Sequence, residues 1–344
     1  MEFFMKIDIP RPGFTIDYTK KLAFFGSCFA DNISAQFSSR KFQVLSNPFG
    51  TVYNPVSLAA QVKAVAEGRV FGDGDVFQDG CWNRDGQKEC GDRDQEYRRA
   101  QDARGPWHCW DAHGSLSGKT REECIDKLNA AAAMARDFLQ KADVVFVTLG
   151  SAFVYSLKGD SSTDGGTCGR VVANCHRQDP KMFERRLISI EEAADAIRRI
   201  VESLHSHSPT ANIVFTVSPL RHMADGAHEN SLSKATLMLA TAATTYFPSY
   251  EIVMDELRDY RFYADDMVHL SKTAEEYIFE RMVETYCSDA TRENIARVEK
   301  FLKMANHRIV DNHSPATAEF QKKLAAQAAS LKKTIPGLVL NTGN

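Results

Sequence analysis

The feature that most constrains this chain is the alternation of short, uniformly apolar runs with amphipathic helical segments. The runs are KLAFFG (21–26), KFQVLS (41–46), DVVFVTLG (143–150), NIVFTVSPL (212–220) and YEIVMDEL (250–257). They are rich in β-branched and aromatic residues and show no polar alternation, which is the pattern of strands covered on both faces. Helical periodicity fills most of the intervals, in 121–142, 189–207, 231–247 and 271–286. Ser189 followed by Glu192 spells a capping box at the start of the second of these helices. Strand and helix in alternation predict an α/β fold: one parallel sheet of about five strands with helices on both sides. Ligands of such sheets bind at the carboxyl ends of the strands.

Two regions break the alternation. Residues 72–118 are polar, rich in Gly and Asp, and contain all three tryptophans, Trp82, Trp107 and Trp110. They read as an irregular excursion or lid rather than a separate domain, because long insertions of this kind in compact domains usually serve binding. Beyond residue 286 two further amphipathic helices follow, so 1–286 is expected to be the functional domain and 287–344 a helical appendage. That appendage is packed on the core or offers a surface for a partner or a second copy.

The net charge of −3 gives no electrostatic reason to expect nucleic acid or an anionic membrane. No apolar run is long enough to span a bilayer. The N-terminal stretch mixes Glu2, Lys6 and Asp8 with apolar residues and lacks the apolar core of a secretory signal, which points to the cytoplasm. The eight cysteines form no Cys-x-x-Cys pair, and a cytosolic setting would keep them reduced. His108, Cys109 and His113, with Cys81 and Cys90 upstream, match no standard zinc spacing, so no metal is expected.

The candidate chemistry sits at two turns. In KLAFFGSCFADNISAQF the first strand ends at Gly26-Ser27-Cys28 and runs directly into a helix. Ser27 there either caps the helix or presents a nucleophilic hydroxyl beside the N–H groups of the helix terminus. Cys28 enters the first helical turn and points about a hundred degrees away, toward packing rather than solvent. The second turn, YADDMVHLS, places Asp266 three residues before His269, where one loop supplies both a general base and the carboxylate that orients it. Arg221 and His222 follow the fourth strand at the same edge, His113 lies in the excursion, and Asn230, Ser233 and Lys234 open the next helix. Substrate binding and local capping or ion pairing are both open for these.

The segments GSCFA (26–30), NPFGTVYNP (47–55), WDAHGSLSG (110–118), VTLGSAFVY (147–155), VVANCH (171–176), TVSPLRH (216–222) and RFYADDMVHLS (261–271) together resemble the GSCFA family, over roughly residues 5–285. That family in turn resembles ester hydrolases of the SGNH/GDSL type. The resemblance implies a three-layer, flavodoxin-like SGNH core. It implies Ser27 as nucleophile, His269 as general base, Asp266 as orienting acid, and the backbone N–H groups of Ser27 and Gly50 as oxyanion donors. SGNH enzymes carry Gly-x-Asn-Asp in the next block, whereas here Gly150 is followed by Ser151, Ala152 and Phe153. A missing donor of this kind is worth about 3 kcal/mol in the transition state. Asn174 with His176 is the preferred replacement, and Asn54 the other candidate. The implied function is hydrolysis of a small acyl ester, acetyl-like, on a carbohydrate or polyol. Trp107 and Trp110 of the excursion either stack on the sugar or anchor the excursion to the core. No cofactor is implied. The alternatives are an O-acyltransferase using the same residues and a non-catalytic module that binds a glycan or a protein.

Overall fold

A computed structural model describes residues 5–79, 105–158, 169–306 and 315–340. Its centre is a four-stranded parallel sheet in the order β2-β1-β5-β9, made of β1 (Lys21–Gly26), β2 (Gln43–Ser46), β5 (Val144–Leu149) and β9 (Asn212–Val217). Leu22 pairs with Val144, and Val144 with Asn212, so the carboxyl ends of β1, β5 and β9 lie along one edge.

Successive side chains of a strand point to opposite faces, and β1 and β5 use both faces for apolar residues. Ala23, Phe25, Val145 and Val147 pack under α2 (Pro55–Glu67), α3 (Arg121–Leu139) and α4 (Ile190–His207). Leu22, Phe24, Val144 and Phe146 pack under α1 (Cys28–Ser39) and α6 (Lys272–Tyr286). Phe24 stacks on Phe146 with centroids 4.9 Å apart. The Ser189–Glu192 box forms in both directions and fixes the start of α4. The expectation of a parallel α/β protein is met. α5 (Ala227–Ala240) follows β9 across the sheet edge.

The expected fifth strand at 250–257 is not a strand. Residues Ser249–Glu251 form one helical turn and Ile252–Glu256 a π-type turn. Ile252, Val253 and Leu257 are buried from that helical backbone, and Ser249, which has no exposed surface, receives a hydrogen bond from Thr216 Oγ1 (2.8 Å). A short apolar run buries equally well as a strand or as a helical turn, so its periodicity does not distinguish them. Among the described residues, the sheet edge beyond β9 is extended only by a bridge between Phe215 and Tyr246.

The described parts of the excursion contain a two-stranded ribbon of β3 (Phe77–Gln78) and β4 (Trp107–His108). Residues 80–104, with Cys81, Trp82 and Cys90, lie outside the described residues, as does Cys168. An antiparallel sheet not anticipated from the sequence joins β6 (Phe153–Leu157), β7 (Val171–Val172) and β8 (Phe183–Leu187) in the order β7-β6-β8. Between it and the ribbon, Phe77, Trp110, Leu157, Val172, Met182 and Phe183 form a satellite core. α7 (Asp289–Ala305) and α8 (Pro315–Thr334) pack onto the α1/α6 side, where Ile295, Val298, Phe301, Ala328 and Leu331 join its core. Among the described residues, no helix is long and apolar enough to cross a membrane.

Candidate active site

The turn at the end of β1 depends on Gly26. Its φ is +126°, and a Cβ there would lie 1.9 Å from the Thr148 carbonyl oxygen, so only glycine fits. The Gly26 N–H donates to Asn47 Oδ1 (2.8 Å), and Asn47 Nδ2 donates to Asp31 Oδ1 (2.9 Å). Asp31 Oδ1 also accepts from Ser46 Oγ (2.8 Å), which ties the ends of β1 and β2 to the first turn of α1. Ser27 follows at the N-cap position of α1 with extended backbone, yet its side chain makes no capping bond. The hydroxyl is buried and has no hydrogen-bond partner. Leaving a buried hydroxyl unpaired costs roughly 1–3 kcal/mol, so capping does not account for a serine here.

The Asp266–His269 turn is already assembled. Asp266 Oδ1 accepts from the N–H groups of Val268 (3.0 Å) and His269 (2.9 Å), while Oδ2 lies 2.5 Å from His269 Nδ1. The His269 side-chain hydrogen bond, followed by the two backbone donors, holds the Asp266 carboxyl down at about 2. An ionised Asp266 accepts only, so Nδ1 carries a proton and Nε2 is the ring nitrogen left to act as a base. The loop closes through the Ala264 N–H donating to His269 O (2.8 Å) and through pairing of Tyr263 with Leu270. The pair is exposed, at 56% for His269 and 51% for Asp266.

Gly150 and Tyr53 flank the Ser27 turn. A Cβ on Gly150 would sit 3.2 Å from Ser27 Cβ and 3.0 Å from Tyr53 Cδ1. The Tyr53 ring meets His222 edge-on with centroids 5.2 Å apart. Burial first, then the charge of Lys234, holds the His222 imidazole down at about 4, and His269 contributes to the same lowering. His222 is therefore neutral at pH 7. With no partner for the Ser27 hydroxyl, the Ser27–His269 hydrogen bond is not formed in this structure.

The two backbone N–H groups expected as oxyanion donors are engaged elsewhere. The Ser27 N–H donates to Thr148 O (3.2 Å), continuing the β1–β5 ladder, and the Gly50 N–H donates to Asn47 O (2.7 Å) within its own turn. Gly50 has φ +78° and lies against His113, whose Cβ would be 2.2 Å from an added Cβ. His113 is half-buried, and its Nδ1 accepts from the Ser115 N–H (3.2 Å). His176 is not an available donor: Nε2–H is spent on Cys109 O (2.7 Å), and burial pushes its imidazole down to about 4, so the other ring nitrogen carries no proton at pH 7. Asn174 Oδ1 accepts from the His176 N–H (2.8 Å), and Asn54 Oδ1 caps α2 through the Ser57 N–H (2.8 Å).

The thiols are poor nucleophiles. Burial, then Asp31, raises Cys28, and burial is the largest cause that pushes Cys175 to about 11 and Cys109 to about 12. Cys28 packs against the α1-side core, as its helical position predicts. Trp110 is 4% exposed and stacks on Phe77 at 3.7 Å, so it is a core residue and not a sugar platform. Trp107 is half-buried with the Arg121 guanidinium 4.6 Å from its ring centre. Arg221 is exposed and borders a cavity of about 670 Å³ shared with Asp266, Met267, Tyr260 and Tyr263. That cavity lies on the acid side of the Asp266–His269 loop and includes neither Ser27 nor His269. Among the described residues no cluster has the makeup of a metal site.

Asp31, Asn47, Tyr53 and the burial of Lys234 were not singled out as site features by sequence reasoning. For Lys234 a signal existed: positions 230, 233, 234, 237 and 240 form the buried stripe of α5, with the lysine at apolar spacing.

Together these observations define an α/β protein with a buried, unpartnered serine in a glycine-dependent turn at the carboxyl edge of a parallel sheet. The chain belongs to the GSCFA family, whose sequence model matches residues 21–282. No curated protein matches the sequence.

Proposed function

We propose that the protein is a serine ester hydrolase of the SGNH type acting on a small acyl ester of a carbohydrate or polyol. The observation that carries this reading is the buried, unpartnered Ser27 hydroxyl at the end of β1, combined with a preassembled Asp266–His269 pair in the loop before α6. Ser27 Oγ attacks the ester carbonyl and its proton passes to His269 Nε2. Collapse of the tetrahedral intermediate breaks the bond to the alcohol, which leaves with that proton. Water then attacks the acyl-serine with His269 again as base, releasing the acid and restoring Ser27. Asp266 stabilises the imidazolium and fixes its tautomer. For this cycle the His269 loop closes toward Ser27, because catalytic hydrogen bonds often tighten only with substrate bound. Nothing in this chemistry separates hydrolysis from transfer to a sugar hydroxyl, since only the second acceptor differs.

A non-catalytic binding module is the second reading. It draws on the engagement of both expected backbone donors and on the open Ser27–His269 gap. Hydrolysis of a short-chain aryl acetate decides between the two. The esterase reading expects turnover that Ser27→Ala abolishes and Cys28→Ser largely retains, whereas the module reading expects none from the wild type. A dead but folded Cys28→Ser would overturn the assignment of the nucleophile.

A further inference from the structure

Lys234 has no exposed surface, yet among the described residues it makes no ion pair. The other deeply buried cations are paired: Arg281 with Glu256 and Glu284, and Arg40 with Glu276 and Glu299. Lys234 Nζ instead donates to two carbonyl oxygens, of Gly150 (2.6 Å) and Ser218 (2.7 Å). Gly150 directly follows β5 and Ser218 directly follows β9, so the ammonium is held at the carboxyl edge of the sheet. Gly150 is also the residue packed against Ser27 Cβ. Along even a fully extended path through Gly150, Nζ is no more than about 10 Å from Ser27 Cβ.

An ammonium buried without an anion is among the costliest arrangements in a protein interior, and two carbonyls could be tied together by a neutral donor. The same site needs positive charge. Acyl transfer at Ser27 develops a negative oxygen, and the Ser27 and Gly50 amides expected to receive it are engaged with Thr148 and Asn47. We infer that Lys234 is a positioning residue of this site, whose ammonium fixes the carbonyl ends of β5 and β9 behind Ser27 and supplies the buried positive charge toward which the oxyanion develops. This rests on the reading of Ser27 as nucleophile. At about 10 Å and an effective dielectric of about 20, one such charge is worth about tenfold in rate.

Burial holds the Lys234 ammonium down at about 7, with Cys28 the one opposing influence. The ionisable groups that feel it are Cys28 from α1 and His222, itself coupled to Asp225, Arg185 and His269. The site therefore loses the charge as pH rises through about 7.

The test is the rate of fluorophosphonate labelling of the full chain between pH 6 and 9, in the wild type and in Lys234→Gln. In labelling, Ser27 Oγ bonds to phosphorus, fluoride leaves, and the proton passes to His269. Gln keeps a donor for the carbonyls and removes the charge, so a purely structural role would be rescued. The expected result is a wild-type rate that falls on the alkaline side, and a folded Lys234→Gln about tenfold slower at pH 6.5 without that fall. A folded Lys234→Gln with the wild-type rate and profile overturns the inference. Should that variant not fold, the wild-type profile decides: a flat alkaline plateau, as a neutral imidazole base alone gives, overturns it. Such a plateau leaves the Ser27 reading standing, whereas absence of wild-type labelling at every pH removes both.

Discussion

Replacing Gly26 with alanine tests whether the turn that carries Ser27 is built as described. An added Cβ would lie 1.9 Å from Thr148 O and 2.8 Å from the Thr148 carbonyl carbon, both backbone atoms of a central strand that cannot swing aside. The φ of +126° adds strain of roughly 1–3 kcal/mol for a side-chain-bearing residue. Relieving the clash means parting β1 from β5 at the Gly26–Thr148 pair, which sacrifices the Ser27 N–H bond to Thr148 O, worth about 1 kcal/mol. The total is about 2–4 kcal/mol, or a melting temperature lower by about 4–8 °C at the roughly 2 °C per kcal/mol that large domains show. Ester turnover should fall by at least about a hundredfold, because a displacement near 1 Å at the nucleophile is enough for that. Differential scanning fluorimetry alongside aryl acetate kinetics provides the readout. Gly13→Ala is the control, since a Cβ at Gly13 meets nothing within 4 Å. A Gly26→Ala protein with wild-type melting temperature and wild-type turnover would refute the geometry of the turn.

Asp266→Asn removes the acceptor that fixes the His269 tautomer, and turnover should drop by at least about a hundredfold with little change in melting temperature, as expected for an exposed pair. Because the folded Asp266 carboxyl lies below its ordinary value, its contribution to the loop is complete above about pH 4 and disappears only as pH falls through about 2, so the loop should hold its form across the whole range in which activity is assayed; loss of the His269–Asp266 contact near pH 5, seen by NMR of the imidazole, would contradict this. Trp110→Ala empties a stacked position in the satellite core and should cost about 3–5 kcal/mol, harming aryl acetate and acylated oligosaccharide turnover alike. Selective loss on the oligosaccharide would restore Trp110 as a sugar platform.

What could be read from the sequence was local. The Ser189–Glu192 box and the Asp266–His269 pair each depend on residues within a few positions of one another, and the chain spacing itself brings them together, while the Gly26-Ser27 turn was marked by its position between an apolar run and a helix. The uniformly apolar runs at 21–26, 143–150 and 212–220 became strands because both faces of the sheet are covered. The run at 250–257 carried the same composition but folded as helical turns, since its buried residues are served equally by either backbone. β8 was hidden because FERRL exposes three consecutive charged side chains and so shows no alternation. The engagement of the Ser27 and Gly50 amides was not legible either. The partner of Ser27, Thr148, is remote in sequence, and the Asn47–Gly50 turn is a conformation that the spelling NPFG alone does not fix. Lys234 reads in sequence as a helix-opening polar residue, yet it lies on the buried stripe of α5.

The central claim is that Ser27 is an activated nucleophile, and the most direct measurement is fluorophosphonate labelling of the native protein followed by peptide mapping. One adduct, on the peptide containing Ser27, lost in Ser27→Ala and strongly slowed in His269→Ala, is the predicted result. No adduct, or an adduct on another residue that persists in Ser27→Ala, would contradict the account.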